Sequence, residues 1–258
     1  SEAVCVWAVP EKPVESDASA TGVADMFRSL FRNDQAMTVV VSIVLVYTAI
    51  NICGNLVLYF FQFDVGNEGA YSIFAAVAFA AQVFVMMIVP ALRTKFTKSQ
   101  LYVGGFIVQI LGFLMILLMA FGGLYTPENW YILCVPGMMI YLGYGILNVI
   151  MTVFLSDSVD YGELKNGTRE ESVIFSMQTF TVKLASGLAV FLAGLVIDWI
   201  HLDKTAAVQS QDTLVALRLW MTVPAVILLI IGIFVFRKYY RLDDAKMEQI
   251  KQQLGEHR

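Results

Sequence analysis

The sequence predicts an all-α membrane protein with six transmembrane helices. Three observations carry this. Of 258 residues, 58% are hydrophobic and only 15% charged, with a mean hydropathy of +0.70. A soluble domain carries closer to a quarter charged residues. Six apolar stretches are each long enough to cross about 30 Å of hydrocarbon, which takes about 20 helical residues. None alternates with period two, as a transmembrane barrel strand does, and in lipid a continuous helix satisfies every backbone amide.

Residues 1–22 hold Pro10, Pro13 and a Ser/Ala/Asp run, and the first residue is Ser with no signal peptide after it. This reads as a linker and predicts a piece of a longer chain. Met26, Phe27, Leu30 and Phe31 share a helical face with Arg28 and Arg32 off it, as in a short interfacial helix. Residues 1–35 are thus expected to form a cytoplasmic segment. Residues 36–241 form the bundle, with spans near Met37–Phe63, Ala70–Leu92, Leu101–Leu124, Trp130–Leu155, Val173–Ile200 and Leu214–Phe236. In the tail, 242–258, Leu242, Met247, Ile250 and Leu254 recur at near-helical spacing, which predicts a solvated helix packing loosely on the bundle.

Lys and Arg near the span ends set the orientation. One side has Arg28, Arg32, Arg93, Lys95, Lys98, Lys165, Arg169, Arg237, Lys238 and Arg241. The other has Asp64, Glu68, Glu128, His201, Asp203, Lys204 and Asp212, with Arg218 at the start of the last span. Both termini are expected to be cytoplasmic, in a cell membrane. The net charge of −4 is spread along the chain and does not point to nucleic acid. Cys5, Cys53 and Cys134 have no metal-ligand spacing. No His-Glu-x-x-His or Gly-x-Ser-x-Gly motif suggests an enzyme.

Polar side chains at bilayer depth face protein or water. In the first span Thr48, Asn51, Asn55 and Gln62 fall on one stripe flanked by Tyr47 and Tyr59. In the fourth, Tyr141, Tyr144, Gly145, Asn148 and Thr152 do the same, and in the fifth Ser176, Thr179, Lys183, Ser186 and Gly187. Such a pair can also simply bond a neighbouring helix, for about 0.6 kcal/mol. Lys183 is different: it is the ionisable group deepest in an apolar stretch, roughly 15 Å from the cytoplasmic end of its span at 1.5 Å per residue. An ammonium there costs roughly 2.5–3.5 kcal/mol. It is expected to be buried and to pair with a carboxylate from outside the chain. Polar spans one, four and five with peripheral three and six match half of a transporter whose substrate binds between two six-helix halves. A three-plus-three repeat is expected, although no identity between the triplets is visible.

The run Ser156–Glu171 reads as a charged cytoplasmic loop that begins where span four ends. Asp157 and Asp160 at a helix C-terminus oppose the macrodipole. They predict a cation from another segment and an ion-pair latch between halves that closes the cytoplasmic side.

The motifs Asp157-x-x-Asp160-Tyr161-Gly162-Glu163, Arg169-x-Glu171-Ser172 and Phe175-Ser176-Met177-Gln178-Thr179-Phe180-x-x-Lys183 resemble the glycoside–pentoside–hexuronide:cation symporters. The resemblance extends to Leu30–Gln35 and Phe236–Leu242. It implies the C-terminal six-helix half of a twelve-helix major-facilitator fold, moving a sugar or glycoside with Na⁺, H⁺ or Li⁺ and using no cofactor. It places Lys183, with Gln178 and Thr179, in the sugar and cation region, to which Asn51, Asn55, Tyr144, Asn148 and Thr152 are added by their stripes. Asp157, Asp160, Tyr161, Glu163 and Arg169 would form the cytoplasmic gate. A characterised relative has tryptophan where this chain has Asn148, so the resemblance does not carry an aromatic sugar platform over to this half. The acidic cation ligands would lie in an absent N-terminal half, leaving no complete metal site here. The rival readings are a receptor or scaffold on the same fold, and a lipid transporter, which would want a less polar cavity.

Overall fold

The computed structural model describes residues 31–167, 171–206 and 208–256. The expected interfacial helix falls mostly on residues before 31 and lies outside the described residues. Among the described residues, six helices are long and apolar enough to cross a membrane. They are α1 (Asp34–Tyr59), which runs into a π-helical turn (Phe60–Val65), α2 (Glu68–Leu92), α3 (Lys98–Phe121), α4 (Cys134–Asn166, after a 3₁₀ turn Trp130–Leu133), α5 (Glu171–Trp199) and α6 (Gln211–Tyr239). A tail helix, α7 (Asp244–Glu256), follows.

Local chemistry sets the helix starts. Asn33 Oδ1 accepts from the Ala36 amide and Ser210 Oγ from the Thr213 amide, while Thr97 and Gln100 close a reciprocal capping box. Asn33 also donates from Nδ2 to the Ser158 carbonyl at 2.8 Å. Residues 33–35 are thereby part of the bundle, not of a linker. The largest departure from expectation is α4, which continues as helix eleven residues past Leu155. It stops at Gly167, whose φ of 74° suits a residue without a side chain.

Helix α1 packs along α5 and α6, and α4 packs along α2 and α3. Helix α3 meets α6, and α1 meets α4. Exchanging the first three helices for the last three maps this set of contacts onto itself. Because α1 and α4 run in opposite senses, the two triplets are repeats inverted about an axis in the membrane plane, the arrangement expected of a transporter half. Bulky side chains such as Phe79, Phe84 and Met87 on α2, Leu118 on α3 and Phe234 on α6 are exposed, as apolar surface bathed by lipid tails would be.

Two glycines let α4 lie close to its neighbours. A Cβ on Gly143 would sit 2.5 Å from the Gly105 carbonyl oxygen and 2.8 Å from the Gln109 amide nitrogen, both backbone atoms. One on Gly145 would sit 2.6 Å from Val85. Small residues are what allow helix backbones to touch in a bilayer. Gly143→Val is therefore expected to separate α3 from α4 and cost about 3 kcal/mol or more, the upper range for overpacking. A melting temperature in detergent equal to that of the parent would disprove the contact.

Candidate functional site

At mid-span the open side of α1 meets that of α4. Tyr47, Asn51 and Asn55 recur every four residues on α1, and Tyr144, Asn148 and Thr152 do so on α4. Asn148 Nδ2 donates to Tyr47 Oη at 2.6 Å across the two helices. The Tyr47 and Tyr144 rings meet edge to face at 5.6 Å, and Tyr141 follows Tyr144 at 6.5 Å. Asn51 donates to the Tyr47 carbonyl and Asn55 to the Asn51 carbonyl, both at 2.7 Å, while Thr152 Oγ1 donates to the Asn148 carbonyl at 3.1 Å. Each of these amides uses its nitrogen, which leaves the amide oxygen as an acceptor. All but the exposed Thr152 are half-buried. The surface thus offers aromatic rings, phenols and amide oxygens with no charge.

Two residues leave the expected stripes. Thr48 is buried on the other side of α1, in the floor of an apolar groove of about 780 Å³ walled by Leu188, Leu192, Trp220 and Val223. Gly145 belongs to the α4–α2 contact.

Helix α5 buries Ile174, Met177, Thr181, Ala185, Ala189 and Ala193, the face by which it packs on α1. Ser176, Thr179, Lys183 and Gly187 are exposed on the far side. Lys183, expected to be buried, is therefore exposed on the side of α5 away from α1, and no acid among the described residues pairs with it. Thr179 Oγ1 donates to the Phe175 carbonyl at 3.2 Å, and Gln178 is half-buried off that face. No hydrogen bond joins Lys183, Thr179 or Gln178 to the Tyr47–Asn148 cluster among the described residues.

The end of the bundle where α1 starts and α4 stops bears on the latch expectation. Asp157 and Asp160 are not at a helix terminus: α4 runs two more turns beyond them, which removes the macrodipole argument. Asp157 is buried and paired with the equally buried Lys98 at the start of α3, so its cation comes from within this bundle. Lys98 also reaches Asp244 at 3.3 Å, and Arg93 meets Asp244 at 3.2 Å. Tyr161 Oη and Lys165 Nζ both donate to Asp34 Oδ1, at 3.1 and 2.6 Å, tying α4 to the start of α1. Asp160 and Glu163 are half-buried, and Arg169 lies outside the described residues.

The tail is docked, not loosely solvated. Leu242, Met247 and Ile250 are each 2% exposed and pack with Tyr161, Tyr240 and Leu254. Burial pushes the Asp244 carboxyl upward, but the Arg93 hydrogen bond and the Lys98 charge outweigh it and hold the group below the usual carboxylate range. A carboxylate with a lowered pKa stabilises the docked state above its ordinary pKa, about 3.9, and that contribution disappears as pH falls through the lowered value. The tail should therefore stay docked at neutral pH and loosen only in strong acid. Asp244→Asn should loosen it at any pH, seen as several-fold faster tryptic cleavage at Lys246 and Lys251. Equal cleavage rates would show that the apolar contacts alone hold it.

A third cluster lies at the other end. Asp64, in the π-helical turn, is gripped by Arg218 of α6, with Nε to Oδ2 at 2.9 Å and Nη2 to Oδ1 at 2.6 Å. Tyr125 Oη donates to the same carboxylate. Burial, and then Asp64 itself, push the Tyr125 phenol well above its ordinary pKa, so it remains a donor. Sequence reasoning treated Asp64 and Arg218 as flanking charges. The available signal was Arg218 itself, a lone arginine two turns inside the last span on the side poor in cations.

A sequence model of the family described as "MFS/sugar transport protein" matches residues 3–244. The chain is 25% identical over 253 residues to an uncharacterized symporter, YjmB, of Bacillus subtilis, covering 97% of this chain and 53% of the relative. It is 25% identical over 256 residues to a putative sulfoquinovose importer of Salmonella typhimurium, covering 98% and 52%. It is 25% identical over 260 residues to the raffinose carrier protein of Pediococcus pentosaceus, covering 97% and 40%. The chain spans about half the length of these relatives.

Proposed function

Because the chain belongs to the MFS/sugar transport family, we propose that it is the C-terminal half of a secondary active transporter that carries a sugar or glycoside together with Na⁺, H⁺ or Li⁺ by alternating access. The observation that carries this reading is the uncharged cluster of Tyr47, Tyr144 and Asn148 bridging α1 and α4 at mid-span. Sugar hydroxyls need donors and acceptors, and sugar C–H faces need aromatic rings; this surface supplies both. The names of the raffinose carrier and of two lactose permeases among the relatives support a carbohydrate substrate.

In this reading Lys183 meets a carboxylate supplied from the facing half. Cation binding reorganises that carboxylate and tightens the sugar site, and linkage makes the coupling reciprocal. Asn51, Asn55 and Thr152 extend the hydroxyl-binding surface along the two helices, and Thr179 and Gln178 flank the lysine. Asp160, Glu163 and Arg169 form the cytoplasmic gate, while Asp157 holds α4 to α3 and Tyr161 holds α4 to α1. The termini face the cytoplasm.

The deciding experiment is uptake of labelled mono-, di- and trisaccharides by vesicles containing the full gene product, with imposed Na⁺, Li⁺ or H⁺ gradients. Accumulation of one sugar above equilibrium, driven by one of these gradients, is expected. Gradient-independent equilibration would remove the coupling, and no uptake of any sugar would remove the substrate class.

A further inference from the structure

The two inverted repeats place α1 against α4, and both helices carry a tyrosine followed by polar residues four and eight positions later: Tyr47, Asn51, Asn55 and Tyr144, Asn148, Thr152. The antiparallel register between them is fixed at two points. Tyr161 bonds Asp34, and thirteen residues further along α1 and back along α4, Asn148 bonds Tyr47. Four more residues in the same sense set Asn51 opposite Tyr144. The repeat exchange therefore turns the Asn148–Tyr47 bond into an Asn51–Tyr144 bond.

The first of these bonds is made here. Asn51 instead donates to a carbonyl of its own helix, while the Tyr144 ring lies edge-on to Tyr47 and its hydroxyl is in contact with Tyr47 and Asn148, not Asn51. Asn51 can give up that contact without breaking a backbone bond of α1, because the Tyr47 carbonyl still has its helical partner. An inverted repeat reaches its opposite-facing state when each triplet takes the local arrangement of the other. A bond made at one of two symmetry-related places in one state is then made at the other place in the other state.

We propose that Asn148–Tyr47 and Asn51–Tyr144 are alternative bonds, one for each side to which the transporter opens, and that these four side chains are positioning residues for α1 against α4. The proposal rests on the alternating-access reading above. With one interhelical amide–phenol bond in each state and the Tyr47–Tyr144 contact common to both, neither state is strongly favoured, which suits a carrier that must populate both.

Tyr47→Phe and Tyr144→Phe each remove one acceptor and keep the ring. The full gene product, with Cys5, Cys53 and Cys134 replaced, is reconstituted with a reporter cysteine either at Gln62, towards the outer end of the open side of α1, or at Ser156, towards the cytoplasmic end of α4. Each is labelled with an impermeant maleimide from its own side, without substrate. The two variants should move the ratio of inward to outward accessibility in opposite directions. Each shift should be about threefold, the size of an average interhelical bond in a bilayer, and the double variant should return to the parent ratio. Asn148→Ala should reproduce Tyr47→Phe, and Asn51→Ala should reproduce Tyr144→Phe. Shifts in the same direction, or no shift in either variant, overturn the exchange. The labelling needs no substrate, so opposite shifts support the exchange whichever sugar is carried. A parent protein that carries no sugar overturns the transport reading alone.

Discussion

Lys183→Glu is expected to lower gradient-driven sugar accumulation by about a hundredfold or more while leaving membrane insertion intact. The size follows from geometry. Lys183 is exposed on the open face of α5, with none of its described neighbours supplying an anion. If the facing half supplies a carboxylate, reversing the charge sets two anions together in a site shielded from water. Breaking a buried pair by removing one partner costs roughly 3–5 kcal/mol, which is about two to three and a half powers of ten in an equilibrium. Because the side chain is not packed inside these six helices, the fold should not suffer: Lys183→Met should insert and melt like the parent. Wild-type accumulation by Lys183→Glu in vesicles would remove the lysine from the mechanism.

Arg218→Met should have the largest effect on stability. It strands Asp64, whose side chain is 1% exposed and held by two Arg218 bonds. The expected loss is about 3–5 kcal/mol, the cost of an uncompensated buried charge. The double variant Asp64→Leu/Arg218→Met should regain most of it, since apolar replacement of a whole buried pair is often neutral or better. Tyr125→Phe, which removes one donor of the three, should cost about 1 kcal/mol. Thermal unfolding in detergent reads all three. A single Arg218→Met variant that melts with the parent would mean that water, not arginine, satisfies Asp64. The π-helical turn matters here: its wider loop changes the register at the end of α1 and so sets where Asp64 points.

The helices were legible because lipid imposes a simple rule: twenty apolar residues in a row must close their own backbone bonds. That rule ends at the interface, and there the reading failed. Ser156–Asn166 has the composition of a loop, yet it is helix because Asp157 finds Lys98 and Tyr161 finds Asp34, partners 59 and 127 residues away. No local pattern contains such a pair. The stripes on α1 and α4 were legible as directions but not as widths. Thr48 is one residue from Tyr47, about 100° around the helix, and that turn carries it out of the open side and into the packed one. Gly145 shared the spacing of the polar residues, but its lack of a side chain serves Val85 of α2. Lys183 was legible as an ionisable group deep in an apolar span. Its exposure was not readable, because polar spacing gives a face of a helix but not which neighbour packs on it.

One lysine serves both ends of an unusual linkage. Lys98 grips Asp157 in α4 and Asp244 in the tail. Asn148, which bridges to Tyr47, sits nine residues, ~14 Å at 1.5 Å per residue, along the same rod from Asp157. A purification tag or fluorescent fusion placed just beyond the tail helix is therefore not a neutral handle. Anything that tugs the tail helix from its seat should reach the mid-span phenols through a single stiff lever, and engineering of this protein should put its labels elsewhere.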